Sequence, residues 1–180
     1  MKSKSCFVVL LLLVCAASVS SQSVSNWTEF ADEDLGLRVS FPGAISRSSE
    51  MIETDDGSKF TVNYVSKGAG AEFMVTATEM PEAKDVPAKA LFDGGRDGLL
   101  SVGTGTKASI DKDVRVDGRP ARDLTVTSKE FVIRMRIFYV EGRLYQIVVT
   151  IPPVSGKDAK IAADAAKFID SVKFIGAAAK

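Results

Sequence analysis

Histidine is absent from all 180 residues, and the two cysteines, Cys6 and Cys15, both lie in one apolar stretch at the N-terminus. If that stretch is removed near residue 21, the remainder, residues 22–180, contains neither residue type. Disulfide frameworks, cysteine nucleophiles and Ser-His-Asp triads are then excluded, as are zinc, haem and iron–sulfur centres held by His or Cys. No cofactor is called for. Charge of one sign is not in excess either. The chain carries 23 Lys plus Arg against 23 Asp plus Glu, and losing Lys2 and Lys4 leaves 21 against 23, a net charge of −2. Nothing in that balance calls for nucleic acid or an anionic membrane. Residues 22–180 suit one domain, of a size that buries about 70% of its unfolded surface without staples.

What is present begins with an address. Lys2 and Lys4 precede an unbroken apolar run from Cys6 to Ala17, and polar Ser18 to Ser25 follow at once. A charged segment, a short apolar segment and then small residues make a secretory signal over residues 1–21. The run is too short to span a hydrocarbon core, which needs about 20 apolar residues, so no transmembrane anchor is expected after cleavage. Val19 and Ser21 suit a peptidase that takes small side chains three and one before the cut. Cleavage is expected before Gln22, with cuts after Ser20 or Ala17 as alternatives. Lipidation at Cys15 is disfavoured by the bulky Val14 before it. The expected location is periplasmic or extracellular. Asn26-Trp27-Thr28 matches a glycosylation acceptor, a three-residue pattern of low specificity.

Beyond the signal, strand patterns dominate. Leu37 to Phe41 alternates apolar with polar and stops at Pro42-Gly43. Met51 to Thr54 and Lys59 to Val65 flank Asp55-Asp56-Gly57-Ser58, a hairpin signal, with Phe60, Val62 and Tyr64 on one face. Phe73 to Thr78 follows a glycine turn. Ala121 to Thr127, Phe131 to Val140 and Leu144 to Ile151 are joined by three-residue links and read as an antiparallel meander. Two helices are expected. One covers Asp85 to Leu100, with Pro87 in its first turn and Ala88, Leu91, Phe92 and Leu99 on one stripe, although Gly94, Gly95 and Gly98 weaken it. The other covers Lys157 to Ser171, with Ile161, Ala165, Phe168 and Ile169 aligned. The fold class is α+β, an antiparallel sheet with helices packed on its faces.

Several apparent motifs fail on spacing. Gly98 and Gly103 have the separation of a phosphate loop, but Thr104 stands where its lysine belongs. Asp111, Asp113 and Asp117 suggest calcium, yet Arg115 and Arg122 occupy ligand positions of the helix–loop–helix pattern, so a solvated acidic loop is expected. No Ser-x-x-Lys or Gly-x-Ser-x-Gly arrangement activates a serine. Paired acids such as Asp32/Asp34 and Asp55/Asp56 lie in turn-like stretches, where carboxylates commonly bond the local backbone. No poised base is visible, and the chain is expected not to be an enzyme.

One concentration survives. Arg115, Arg119, Arg122, Arg134, Arg136 and Arg143 crowd the meander. Arg134 and Arg136 stand two apart on one strand and share a face. Guanidinium forks match carboxylates in two-point geometry, so Arg122, Arg134, Arg136 and Arg143 form a candidate binding surface. The competing reading pairs them with Asp123, Glu130 and Glu141 across the strands.

The residues also resemble a family. Trp27 to Phe30 with Gly36-Leu37-Arg38-Val39-Ser40-Phe41-Pro42-Gly43, then Val116 to Asp123, Gly142 to Ile147 and Lys167 to Phe174, are similar to exported bacterial PsbP-like domains. The resemblance covers nearly all of residues 22–180. It implies an α/β/α sandwich around an antiparallel sheet, but its members share no single job and no functional residue is carried over. The expected function is that of an exported, non-catalytic accessory or binding protein with a protein or cell-envelope partner. A carrier of a small apolar or anionic ligand is the alternative, and a hydrolase without His or Cys ranks third.

Overall fold

A computed structural model of the chain describes residues 27–54, 57–68, 70–101, 105–155 and 158–175. The expected signal segment, Asn26, the Asp55-Asp56 turn and Gly103-Thr104 lie outside those residues. Alternating side chains build the strands as anticipated. Leu37, Val39 and Phe41 are buried along β2 (Leu37–Phe41), while Arg38 and Ser40 are half-exposed. β2 lies between β1 (Thr28–Asp32) and β10 (Lys173–Phe174) in a small antiparallel sheet.

The larger sheet has seven strands. These are β3 (Ser46–Thr54), β4 (Gly57–Gly68), β5 (Ala71–Glu79), β6 (Lys107–Val116), β7 (Arg119–Thr127), β8 (Val132–Val140) and β9 (Arg143–Ile151). Their order across the sheet is β3-β4-β5-β9-β8-β7-β6, antiparallel at every step. The β6–β7 and β8–β9 links turn on Asp117-Gly118 and Glu141-Gly142. All four residues have positive φ, between 50° and 79°, the backbone of a two-residue hairpin turn matched to strand twist.

Each face of this sheet carries its own core. Against one lie the small sheet and α2 (Ala159–Asp170), whose predicted stripe Ile161, Ala165, Phe168 and Ile169 is buried. The Phe168 ring sits 5.1 Å from that of Phe41 and 5.3 Å from that of Phe73. Against the other lies α1 (Ala88–Leu100), with Phe92 buried among Leu124, Ile133, Met135, Ile137 and Val148. This is the α+β arrangement expected, with helices on both faces of an antiparallel sheet.

Two expectations need correction. The first helix does not begin at Asp85. A short 3₁₀ turn spans Pro81–Asp85, and Val86 is extended (φ −80°, ψ 130°) because the ring of Pro87 disfavours helical backbone in the residue before it. Pro87 therefore stands ahead of α1 rather than in its first turn. The acidic loop is β6: Asp111, Asp113 and Arg115 alternate with Ile110, Lys112 and Val114 on a ten-residue edge strand. Its exposure on the sheet margin gave it the polarity of a loop. The shared face expected for Phe60, Val62 and Tyr64 is present; Val62 and Tyr64 are buried on it, whereas Phe60 is 37% exposed beside Met51 at 57%. The β3–β4 hairpin continues past what covers that face.

Candidate functional site

Register decides which arginines meet. In β7, Arg122 lies opposite Ile137 and Asp123 opposite Arg136, so neighbouring residues serve opposite faces of the sheet. Arg122 points to the α1 side and does not join Arg134 and Arg136, a correction to the four-arginine surface. It is 4% exposed, donating through Nη1 to Asp93 of α1 at 2.5 Å and through Nε to Asp113 of β6 at 2.8 Å, with Asp111 3.5 Å away. Arg96 adds contacts to Asp93 at 3.5 Å, Asp97 at 2.8 Å and Asp111 at 3.4 Å. Hydrogen bonds from Lys89 and then Arg122 hold the Asp93 carboxyl down at about 2. Burial works against charge on Arg122, but Asp113 and Asp93 outweigh it and raise its pKa. This network clamps α1 and the edge strand to the sheet.

Arg136, on the α2 side, is equally committed. Its fork takes both Asp123 oxygens, Nε to Oδ1 at 2.6 Å and Nη2 to Oδ2 at 2.9 Å, and Nη1 reaches Asp170 at 2.9 Å. It ties the C-terminal end of α2 to β7, and the cross-strand pairing with Asp123 expected as the competing reading is present here. Arg143 stands four residues further along the sheet, where it donates to the Asp34 carbonyl at 2.8 Å and approaches Glu79 at 3.6 Å. It fastens the β1–β2 connection rather than sharing a site with Arg134.

Arg134 differs. Its Nη1 donates to the Ala162 carbonyl at 3.0 Å, and among the described residues no carboxylate lies within ion-pair distance. It lines an open groove of about 290 Å³ between α2 and β6, shared with Ile110, Lys112, Ile169 and the Arg136–Asp123–Asp170 cluster. Lys112 faces Asp123 across the β6–β7 ladder without forming an ion pair among the described residues. Ile110 is 43% exposed at the rim. The arrangement offers an amine and a guanidinium beside apolar surface, donors suited to a carboxylate carried on a partly apolar segment. Lys112 and Ile110 were missed in the sequence. The alternation Ile110, Lys112, Val114, Val116 was the available signal, masked by the acids between them.

Of the acids flagged earlier, Asp32, Asp111 and Asp113 are engaged elsewhere, and Asp55 and Asp56 lie outside the described residues. Tyr64 donates to Asp32, which also accepts the Leu35 amide at 3.0 Å. Burial would raise the Asp32 carboxyl, but these bonds hold it below its ordinary range, while burial and Asp32 together raise the Tyr64 hydroxyl. Lys59, 8% exposed, donates to Glu82 and lowers that carboxyl. Asp111 and Asp113 both face Arg122, and Asp117 sits in the hairpin turn. A second open pocket, of about 400 Å³, lies at the β4–β5 and β7–β8 turns against Ala71, Phe131 and Pro152. Among the described residues no helix is long and apolar enough to cross a membrane.

No family model and no curated protein matches the chain. Among solved structures, the solution structure of cyanobacterial PsbP (CyanoP) from Synechocystis sp. PCC 6803 is similar over 88% of this chain and 98% of its own. Its TM-score is 0.60 and its sequence identity 10%. A Pseudomonas aeruginosa protein of unknown function, PA94, is similar over 78% of this chain and 92% of its own, with a TM-score of 0.45 and 12% identity. The first likeness establishes a PsbP-like fold. At such identity it transfers no residue's role.

Proposed function

We propose that this protein is exported and acts without catalysis, by holding a partner protein of the cell envelope through the groove between α2 and β6. The observation that carries the reading is an inequality among the cations. Arg122 and Arg136 are each saturated by two or three carboxylates, whereas Lys112 and Arg134 border one groove with no carboxylate paired to either among the described residues. Desolvated cations commonly hold structure; half-exposed cations beside an apolar rim are suited to recognition. The candidate bases are tied to Tyr64, Lys59 or Arg122, which favours binding over hydrolysis.

The test is capture of the partner from the cell envelope by the wild type and by a Lys112→Gln/Arg134→Gln double variant. The variant is expected to melt like the wild type and to capture at least about tenfold less, with a weaker dependence on salt. Undiminished capture by the folded variant overturns the groove reading. Export is tested separately by the mass of the secreted protein, which should begin near Gln22. An alternative, carriage of a small apolar ligand, has in its favour the pocket against Phe131 and Pro152. It requires that Phe131→Asp abolish uptake of an apolar dye.

A further inference from the structure

The groove has an unusual wall, because β6 is an edge of the seven-stranded sheet and its outer side has no neighbouring strand among the described residues. Lys107 to Asp113 are exposed throughout. An edge of this kind presents backbone N–H and C=O groups ready to pair with another strand. After a bulge between Ala108 and Ile110, β6 keeps unbroken register with β7 from Ile110 to Val116. Any strand added there would run straight beside Ile110 and Lys112.

Alternating charge along an edge ordinarily discourages pairing, and β6 carries Asp111, Lys112, Asp113 and Arg115. Here the alternation puts Asp111, Asp113 and Arg115 on one face and Lys112 on the other. Asp111 and Asp113 turn to the α1 side, where Arg122 and Arg96 neutralise them. Lys112 turns to the groove, with Arg134 two strands inward. Asp123 and Asp170 in the groove are both taken by Arg136, so with Lys112 and Arg134 added the groove side of this edge has three cations against two carboxylates and is net positive. β3, the opposite edge, has no such surplus: Arg47 donates to the Tyr64 hydroxyl at 3.2 Å, Glu53 accepts from Ser58 at 2.6 Å, and Glu50 accepts from Asn63 at 3.4 Å.

We propose that β6 takes an extended acidic segment of the partner as an added antiparallel strand, with an acidic residue beside Lys112 and an apolar residue beside Ile110. This rests on the groove reading above and specifies its ligand. Because side chains alternate across a strand, the two recognised residues must be two apart. Because Ile110 precedes Lys112, an antiparallel strand presents the acid first. Main-chain bonds supply affinity and the two side-chain positions supply selection, as in other strand-addition complexes.

The probe is a set of capped threonine-rich peptides carrying one glutamate and one leucine. In the first the leucine follows two positions after the glutamate, in the second it follows directly, and the third repeats the first with alternate backbone amides N-methylated on the side that would face β6. The first is expected to bind wild type, slow amide exchange in β6, and weaken at least about tenfold against Lys112→Gln/Arg134→Gln. The second and third should lose at least about tenfold. Equal binding of all three, or no binding of the first at millimolar concentration, overturns strand addition. In either case, partner capture that still depends on Lys112 and Arg134 leaves the groove reading standing. Capture independent of both residues removes that reading as well.

Discussion

The two faces of the large sheet each hold a helix, and each uses an arginine to do it, yet they are not built alike. On one side α2 buries a four-residue stripe around Phe168, and Asp158 caps it by accepting from the Lys160 and Ile161 amides at 2.8 and 3.3 Å. On the other, α1 buries Phe92, follows a proline with no side-chain cap, and contains three glycines. Arg136 supplements an apolar contact that would hold α2 in any case. Arg122 draws together carboxylates from α1 and β6 where the apolar contact is thin. The comparison teaches that a charge network carries most weight where burial is poorest.

Truncating the two aromatic anchors tests this most severely. Phe168 is fully buried against two other rings, so Phe168→Ala is expected to cost about 3–5 kcal/mol in denaturant unfolding. Phe92→Ala in the smaller cluster should fall at the bottom of that range, about 3 kcal/mol. A larger cost at Phe92 would reverse the ranking of the two faces.

The arginines sharpen it. Arg122→Met is expected to cost about 1–3 kcal/mol, because it leaves Asp113 unpaired and takes one partner from Asp93 and Asp111, which keep Arg96, around a side chain that is 4% exposed. Water reaches those acids in part, with Asp93 29% and Asp113 62% exposed, which keeps the cost below that of a wholly buried pair. Arg134→Gln should change stability by less than about 0.5 kcal/mol. Equal effects would mean that Arg134 is as structural as Arg122.

Acid provides a third probe, in which Asp93 on the α1 side acts alongside the lowered Asp32 and Glu82 carboxyls. Asp93 has its pKa lowered from 3.8 to about 2 in the folded protein. A depressed carboxyl contributes stability that is present above its unfolded pKa and is lost as pH falls through the folded value. Unfolding midpoints of the wild type should therefore fall as pH drops from about 4 to about 2. Asp93→Asn should flatten that limb while leaving the slope above pH 5 unchanged. An unaltered acid limb would show that the Lys89–Asp93–Arg122 contacts contribute nothing to it.

These contrasts were unevenly legible in the sequence. Period-two alternation located β2, whereas β5, β7, β8 and β9 were located by apolar and β-branched runs between turn signals, as suits strands whose two faces meet separate cores. Pattern failed for β6, where only Val114 and Val116 are partly buried and the charged residues read as a loop. β1 and β10 are short and gain their place from pairing with β2, a long-range contact that no local pattern encodes. Arg134 and Arg136 could be assigned to one face from spacing alone. That Arg122 faces away depends on the register of β7 with β8, fixed by the turn that the Ser128 amide closes on the Phe131 carbonyl at 2.9 Å and by which residues are buried. Asp123 was legible as a cross-strand partner, but the Asp170 contact of Arg136 and the Asp93 contact of Arg122 depend on where the helices dock.

The smallest expected effects come from the glycines of α1, and they separate two reasons for a glycine in a helix. A side chain added at Gly94 or Gly98 would meet nothing within 4 Å. Alanine there should raise stability by about 0.5–1 kcal/mol, since glycine in a helix interior loses more chain entropy on folding. At Gly95 an added Cβ would lie 2.7 Å from the Ile137 Cδ1, beneath the helix in the α1-side core. Ile137 is fully buried, so its terminal methyl must rotate into neighbours that already fill the space, or α1 must lift. Gly95→Ala gains the same helix propensity but is expected to end at least about 1 kcal/mol less stable than Gly94→Ala. The lift would also move Asp93 and Arg96 relative to Arg122, so the acid limb of Gly95→Ala should resemble that of Asp93→Asn, while Gly94→Ala and Gly98→Ala keep the wild-type limb. If Gly95→Ala stabilises as much as the other two, α1 does not depend on close approach to the sheet, and the charge network alone sets its position.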